Sequence, residues 1–213
     1  MWSWCALPRR RSPRNAVGLS VGVGEAPLLL DRFLPVYQFS EEHSIRIRAS
    51  PARIVRAIKE VTPAEIPFWR TLFWIRALPA RLIGRPGYHF QVKPLWEQAT
   101  VGSFVLLAED PERELVVGTV GQFWRPQGAG TVYLDGPQAF LDFDRPGYAK
   151  AALNFLIEPE ERDWRLRTET RITVADAAAR RRFAGYWRAI YPGSALLRRM
   201  WLWAIKRRAE RAS

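Results

Sequence analysis

Thr168 and Thr170 are hydroxyls placed where a strand pattern otherwise puts apolar side chains. In "DWRLRTETRITV" the residues Trp164, Leu166, Thr168, Thr170, Ile172 and Val174 alternate with Asp163, Arg165, Arg167, Glu169, Arg171 and Thr173, the period of a strand covered on one side. A hydroxyl on the covered side can orient a ligand carbonyl, because a few polar groups in an apolar site set its specificity. Threonine is also simply a good strand residue, so both readings stand. Thr119 has the same status if the preceding hairpin turns at 110–113. The opposite row, Arg165, Arg167, Glu169 and Arg171, carries the charges to bind an anion, but its strict alternation predicts a solvated outer face.

Acid–base candidates are sparse. Glu109 and Glu114 flank the turn "DPER"; a catalytic carboxylate pair needs burial or a close partner to tune it, and a hairpin tip predicts exposure instead. His43 begins a strand and His89 lies in "GYHFQV". Either could act as a base, but neither has an evident carboxylate partner, and no buried acid or base is clearly placed. One cysteine, Cys5, and two separated histidines make no zinc constellation. Neither "GEAPLLL" nor "RPQGAG" has phosphate-loop or dinucleotide spacing, so no cofactor is expected. The aromatic residues Trp69, Phe73, Trp74, Phe155, Trp187, Tyr191 and Trp201 either line a pocket or pack helices onto a sheet.

Ten tryptophans among 213 residues, 48% hydrophobic overall, supply a core of real size and exclude global disorder. The net charge of +12 sits at the ends. Residues 1–14 carry four arginines and no acid, residues 176–213 carry ten cations against Asp176 and Glu210, and the body between is neutral. A nucleic-acid domain spreads a basic stripe over its folded face; terminal charge fits that poorly and fits loose contact with anionic lipid better. A lone cysteine points to a reducing, cytoplasmic setting. Residues 1–33 read as a poorly ordered extension: three glycines and Glu25 interrupt an apolar run that loosely mimics a signal peptide. No stretch approaches the roughly 18 unbroken apolar residues of a spanning helix.

The elements that must position these groups fall in residues 34–210. "HSIRIRAS" alternates as a strand with Ile45 and Ile47 on one side. Ser50 and Pro51 then start a helix whose apolar positions are Ile54, Val55, Ile58 and Val61. Pro63 stops it, and residues 64–78 read as a second short helix. Two hairpins follow, around "DPER" and "EPEER". In the second, folding at 159–162 pairs residues whose numbers sum to about 321, so Ala149, Ala151, Leu153, Phe155 and Ile157 share the apolar side while Lys150 and Asn154 join the arginines. From Asp176 a helix presents Phe183, Tyr186, Trp187 and Ile190, and then Leu196, Leu197, Met200, Trp201, Ala204 and Ile205, as one stripe. "YPGS" predicts a kink or break in it.

This order resembles the START-like (SRPBCC, Bet v 1-like helix-grip) superfamily, which includes polyketide cyclases and lipid-transfer proteins. The resemblance rests on "HSIRIRASPARIVRAIKEV", on "GQFWRP" and on the stretch from "YAKAALNFLIE" to "AIKRRAE". It looks most like an uncharacterised bacterial branch. It implies an α+β fold: a curved antiparallel sheet wrapped around a long C-terminal helix, with a ligand cavity between them. No catalytic motif is shared across such a family, and fold does not fix function.

Three functions are therefore expected to compete. The first is binding or transport of a hydrophobic or amphipathic small molecule by Thr119, Thr168, Thr170, Trp69, Phe73, Phe155, Trp187 and Tyr191. The second is a cyclase or dehydratase working in the same place. The third is peripheral membrane docking through the basic ends. In "RRMWLWAIKRR" the stripe commits Trp201 inward, which argues against a nucleic-acid partner, since stacking needs exposed rings. Leu202 and Trp203 fall near its edge. Trp203 beside Arg199, Lys206 and Arg207 has the make-up of an interfacial helix.

Overall fold

The computed structural model describes residues 27–66, 94–97, 103–125 and 130–211. Among them the elements run α1 (Leu29–Phe33), β1 (Phe39–Ile47), α2 (Pro51–Glu60), β2 (Val105–Asp110), β3 (Glu114–Gly121), α3 (Pro137–Asp142), β4 (Ala149–Glu160), β5 (Asp163–Val174) and α4 (Ala177–Arg211). The strands form one antiparallel sheet in the order β1-β5-β4-β3-β2. The α+β class and the curved sheet with a long C-terminal helix are as the sequence implies.

Alternation decides which side of each strand is buried. On β1, Phe39, Glu41, His43, Ile45 and Ile47 point toward α4; their β5 partners are Ile172, Thr170, Thr168, Leu166 and Trp164. β4 continues this face with Leu153 opposite Thr170 and Phe155 opposite Thr168. That register is two residues from the expected one. Because side chains alternate with a period of two, the same residues still share each face.

The helices cover this face in two stretches. α2 starts at Pro51 as expected, with Ser50 in the N-cap position but no side-chain capping bond. Its Ile54, Ala57 and Ile58 join Leu202, Ala204 and Ile205 of α4 over Leu153, Phe155, Ile157 and Leu166. Each fully buried side chain of this size contributes about 1.5–3 kcal/mol. Nearer the start of α4, Phe183 closes a second cluster with Ala149, Ile172 and Val174.

Asp176 caps α4 by accepting from the backbone N–H of Ala179 at 2.8 Å, and also takes the Gly147 N–H at 2.6 Å. The helix is 35 residues long, about 52 Å at 1.5 Å per residue. The expected break at "YPGS" does not occur: residues on both sides of Pro192 are helical. Pro192 and Gly193 are exposed, while packing against the sheet and α2 holds the helix beyond them.

The opposite face of the sheet is not the solvated surface its arginines suggest. α1 and α3 lie on it, with Leu30 and Phe140 fully buried against Leu107, Val116, Val120 and Ala152. Residues 29–33, placed by sequence in the extension, thus fold onto the sheet. Of the charged row, only Arg165 is exposed; Arg167 is half-buried, and Glu169 and Arg171 are buried. Arg171 bonds both oxygens of Glu169, Asp31 of α1 at 2.5 Å and the Leu34 carbonyl. A charge can leave water when it is paired and hydrogen-bonded this fully.

Glu114, expected at an exposed hairpin tip, is also buried there. Its carboxylate accepts from the N–H groups of Leu29 and Leu30 and from Asn154 Nδ2. It serves the start of α1 as a cap supplied from another element. Glu109 behaves as expected: it is exposed and meets Lys59 at 2.7 Å.

Only the first residues of the expected second helix are described, and Pro63–Glu65 form a single 3₁₀ turn. Trp69, Phe73, Trp74 and His89 lie outside the described residues. Among the described residues, no helix is long and apolar enough to cross a membrane.

Candidate functional site

Between the two apolar clusters under α4 lies a polar patch. Along β1 and β5 it is Glu41, His43, Thr168 and Thr170, flanked by Phe39 and Ile172 on one side and Ile45 and Leu166 on the other. Along α4 it is Ser194 and Arg198, flanked by Trp187 and Trp201.

Glu41 is its centre. Only 4% exposed, it approaches His43 Nε2 through Oε1 at 2.8 Å and accepts from Ser194 Oγ through Oε2 at 2.9 Å. Both carboxylate oxygens therefore have a partner, which is the condition for keeping the group buried. Among the described residues, Glu41 is the one hydrogen-bond partner of the His43 ring.

Arg198 enters from the helix. Its Nη2 donates to Thr170 Oγ1 at 3.1 Å, and its guanidinium lies 5.5 Å from the Trp201 ring centroid. Burial pulls its pKa below the ordinary guanidinium value, and the Glu41 carboxylate opposes that pull. Although Arg198 as a whole is half-buried, Nη1 is fully enclosed and has no hydrogen-bond partner.

Two more enclosed groups beside it share that condition: Thr168 Oγ1 and Trp201 Nε1. Trp201 packs edge-on to Phe155 at 5.2 Å, and Phe155 is the β4 partner of Thr168. Arg198 thus meets Trp201, and Phe155 stands between Trp201 and Thr168. Arg53 Nε and Arg167 Nε are unpartnered too, but those guanidiniums bond a carbonyl or approach carboxylates through their other nitrogens. An enclosed polar atom without a partner costs about 1–3 kcal/mol. Each of the three is closed off by neighbouring protein atoms.

Of the sequence candidates, Thr168, Thr170 and Phe155 come together here. Thr119 is buried on the same face of β3, opposite Ala151. Trp187 packs on Phe39 at 6.1 Å and stacks on Phe183 at 5.8 Å. Tyr191 contacts Trp187 but is 42% exposed, on the rim. Glu41, Ser194 and Arg198 were not among the candidates. A signal for Glu41 existed: "EEHSIRI" places it two residues before His43, on the side of Ile45 and Ile47. Nothing local marks Ser194 or Arg198.

The outer side of α4 corrects two stripe assignments: Leu202 is buried and Leu196 is 49% exposed. Trp203 is exposed, with the Arg207 guanidinium 4.4 Å from its ring centroid. Arg199 is exposed, and Lys206 donates to the Arg46 carbonyl at 2.7 Å.

No protein-family model matches the chain, and no curated protein matches it either. Solved structures give distant likenesses. A Mesorhizobium loti protein is 14% identical over 82% of this chain and 99% of its own, with a TM-score of 0.36. An uncharacterised Rhizobium leguminosarum protein is 11% identical over 79% and 95%, with a TM-score of 0.39. A Helicobacter pylori protein is 10% identical over 91% and 99%, with a TM-score of 0.37. Likenesses this distant carry no functional argument.

Proposed function

We propose that this protein is a START-like, helix-grip binding protein that holds an apolar or amphipathic small molecule between the sheet and α4. The observation supporting this reading is the polar group of Glu41, His43, Ser194, Thr170 and Arg198 set between two apolar clusters under α4. Leu153 and Phe155 stand opposite Thr170 and Thr168 on the same face, a mix of apolar and polar groups that suits an amphipathic ligand. Native mass spectrometry of the purified protein, followed by organic extraction, tests the reading. A stoichiometric apolar adduct that disappears in Thr168→Phe and Arg198→Met supports it. A clean apo mass, with no uptake of an added fluorescent apolar probe, overturns it.

A second reading is favoured by Trp203, Leu196 and Tyr191, which stand exposed on α4 among Arg188, Arg199 and Arg207. In this reading the outer side of the helix lies on an anionic membrane surface. Co-sedimentation with phosphatidylserine-containing vesicles that weakens with salt, and drops in Trp203→Ala, supports it. Equal recovery with neutral and anionic vesicles argues against it.

A further inference from the structure

We propose that α4 docks lengthwise on an anionic phospholipid bilayer and that its two halves do different work. The turns before Pro192 are drawn to the surface by charge alone, and the turns after it enter the headgroup layer through Leu196 and Trp203. The proposal rests on the membrane reading above and assigns each half of the helix its part.

Spacing sets the docking row. At about 100° per residue, Arg181, Arg188, Leu196, Arg199, Trp203 and Arg207 fall within about 100° of one another, on the side of α4 away from the buried Phe183 and Ile205. The first five are exposed and Arg207 is half-buried. The helix continues through Pro192, so the row runs unbroken for about 39 Å.

The charge of this side is complementary to anionic lipid. Arg180 and Arg182 flank the row and are exposed as well. The one acid of α4 is Glu210, and it is taken up by Lys206 at 3.5 Å and by the Arg48 N–H at 2.8 Å. Among the described residues the other ion pairs of α4 belong to Arg208, with Glu60 and Glu65. The row's arginines therefore face solvent without a carboxylate, as they do in a helix that lies on a charged interface.

The two halves differ in what stands between the arginines. Before Pro192 the exposed residues on this side are Ala178, Gly185 and Ala189, which have too little apolar surface to anchor in lipid. After it come Leu196 and Trp203, both exposed and seven residues apart. The Arg207 guanidinium lies 4.4 Å from the Trp203 ring centroid, which pairs a ring suited to the interfacial layer with a fork suited to phosphate. Tyr191 lies about 80° off the row and packs on Trp187, so it takes no part. A second copy fits this row poorly, because it would set arginines against arginines. Nucleic acid fits it poorly too, because a phosphate backbone gives Leu196 nothing to be buried in.

The test uses the full-length chain with phosphatidylcholine vesicles that contain or lack phosphatidylserine. Sedimentation reads capture. Depth is read by a nitrobenzoxadiazole dye attached, in a Cys5→Ser background, at Gly185→Cys or Leu196→Cys. Both positions are exposed, and a Cβ at Gly185 meets nothing within 4 Å. The expected result is capture by the serine-lipid vesicles alone, with the dye at position 196 blue-shifted and shielded from iodide and the dye at 185 accessible. Arg181→Gln with Arg188→Gln should weaken capture roughly 30-fold, the worth of two cations near an anionic surface. Leu196→Ala with Trp203→Ala should keep capture at low salt and lose it at a salt concentration where the parent chain still binds. Circular dichroism confirms that the variants are folded.

Equal shielding at both dye positions, or none at either on captured protein, overturns the division of work and leaves the membrane reading standing. Undiminished capture of the double glutamine variant overturns it as well. Vesicles that bind no protein overturn both. Retention of duplex DNA, or a dimer lost in Trp203→Ala, then assigns the row to nucleic acid or to a second copy.

Discussion

Arg198 on α4 donates to Thr170 Oγ1 on β5 at 3.1 Å, and among the described residues this is the only hydrogen bond its guanidinium makes. Its enclosed Nη1 carries a desolvation cost, against which the Trp201 ring, 5.5 Å away on the same helix, offers a cation–π contact. Arg198→Met keeps the volume and removes the charge. Its expected stability changes by no more than about 1 kcal/mol, the size of a cation–π contact, read by urea unfolding, while uptake of a fluorescent apolar probe falls. A clear loss of stability would show that Arg198 is a structural residue.

Glu114 is the reverse case. It satisfies Leu29 N–H, Leu30 N–H and Asn154 Nδ2, so Glu114→Ala leaves enclosed donors without an acceptor. The expected cost is about 1–3 kcal/mol, with faster amide hydrogen exchange at Leu29 and Leu30. Unchanged exchange at those two amides would mean that α1 does not depend on this carboxylate.

Arg171 holds α1 through Asp31 and neutralises Glu169. Removing it in Arg171→Ala leaves the buried Glu169 carboxylate with only the looser approach of Arg167, at 3.9 Å, among the described residues. The expected cost is about 3 kcal/mol, at the low end for a buried pair because Asp31 reaches solvent. The double variant with Glu169→Gln should recover part of the loss, which a double-mutant cycle measures.

Gly118 leaves no room for a side chain. A Cβ there would lie 2.7 Å from Leu107 Cδ1 and 2.8 Å from Phe140 Cε2, and both partners are buried. Gly118→Ala is expected to cost about 1–3 kcal/mol by overpacking and to loosen α3. An alanine tolerated without loss of thermal stability would show that Phe140 can shift aside.

Acid sensitivity should reside partly at the start of α4. The N–H groups of Ala179 and then Gly147 hold Asp176 below its ordinary pKa, against a smaller opposing effect of burial. The folded value is thus lower than the unfolded value of about 3.9. The contribution is complete above the unfolded pKa and is lost as pH falls through the folded one. Asp176→Asn should make stability fall less steeply with pH below about 4, in chemical unfolding at stepped pH. An unaltered slope would remove Asp176 from the account.

How much of this could be read from residues alone follows from the range of the forces involved. Alternation in β4 and β5 and the 3.6-residue stripe of α4 are local, and they placed Phe155, Thr168, Thr170 and Trp187 on the covered side. The same alternation, applied two residues further upstream in β1, would have paired Glu41 with His43. The assignment of Glu169 and Arg171 to solvent failed for another reason. A strand pattern shows that its two sides differ, but not that a five-residue helix brings Asp31 and the Leu34 carbonyl to bury the polar side.

The sequence by itself determined which residues share each strand face and the apolar stripe of the C-terminal helix, because hydrophobic periodicity and caps act between near neighbours in the chain, and the order of its elements resembled the fold. Only the tertiary structure decided the site. Ser194 and Arg198 meet Glu41 and Thr170 from far along the chain, and whether an enclosed donor finds an acceptor depends on packing that no local pattern encodes.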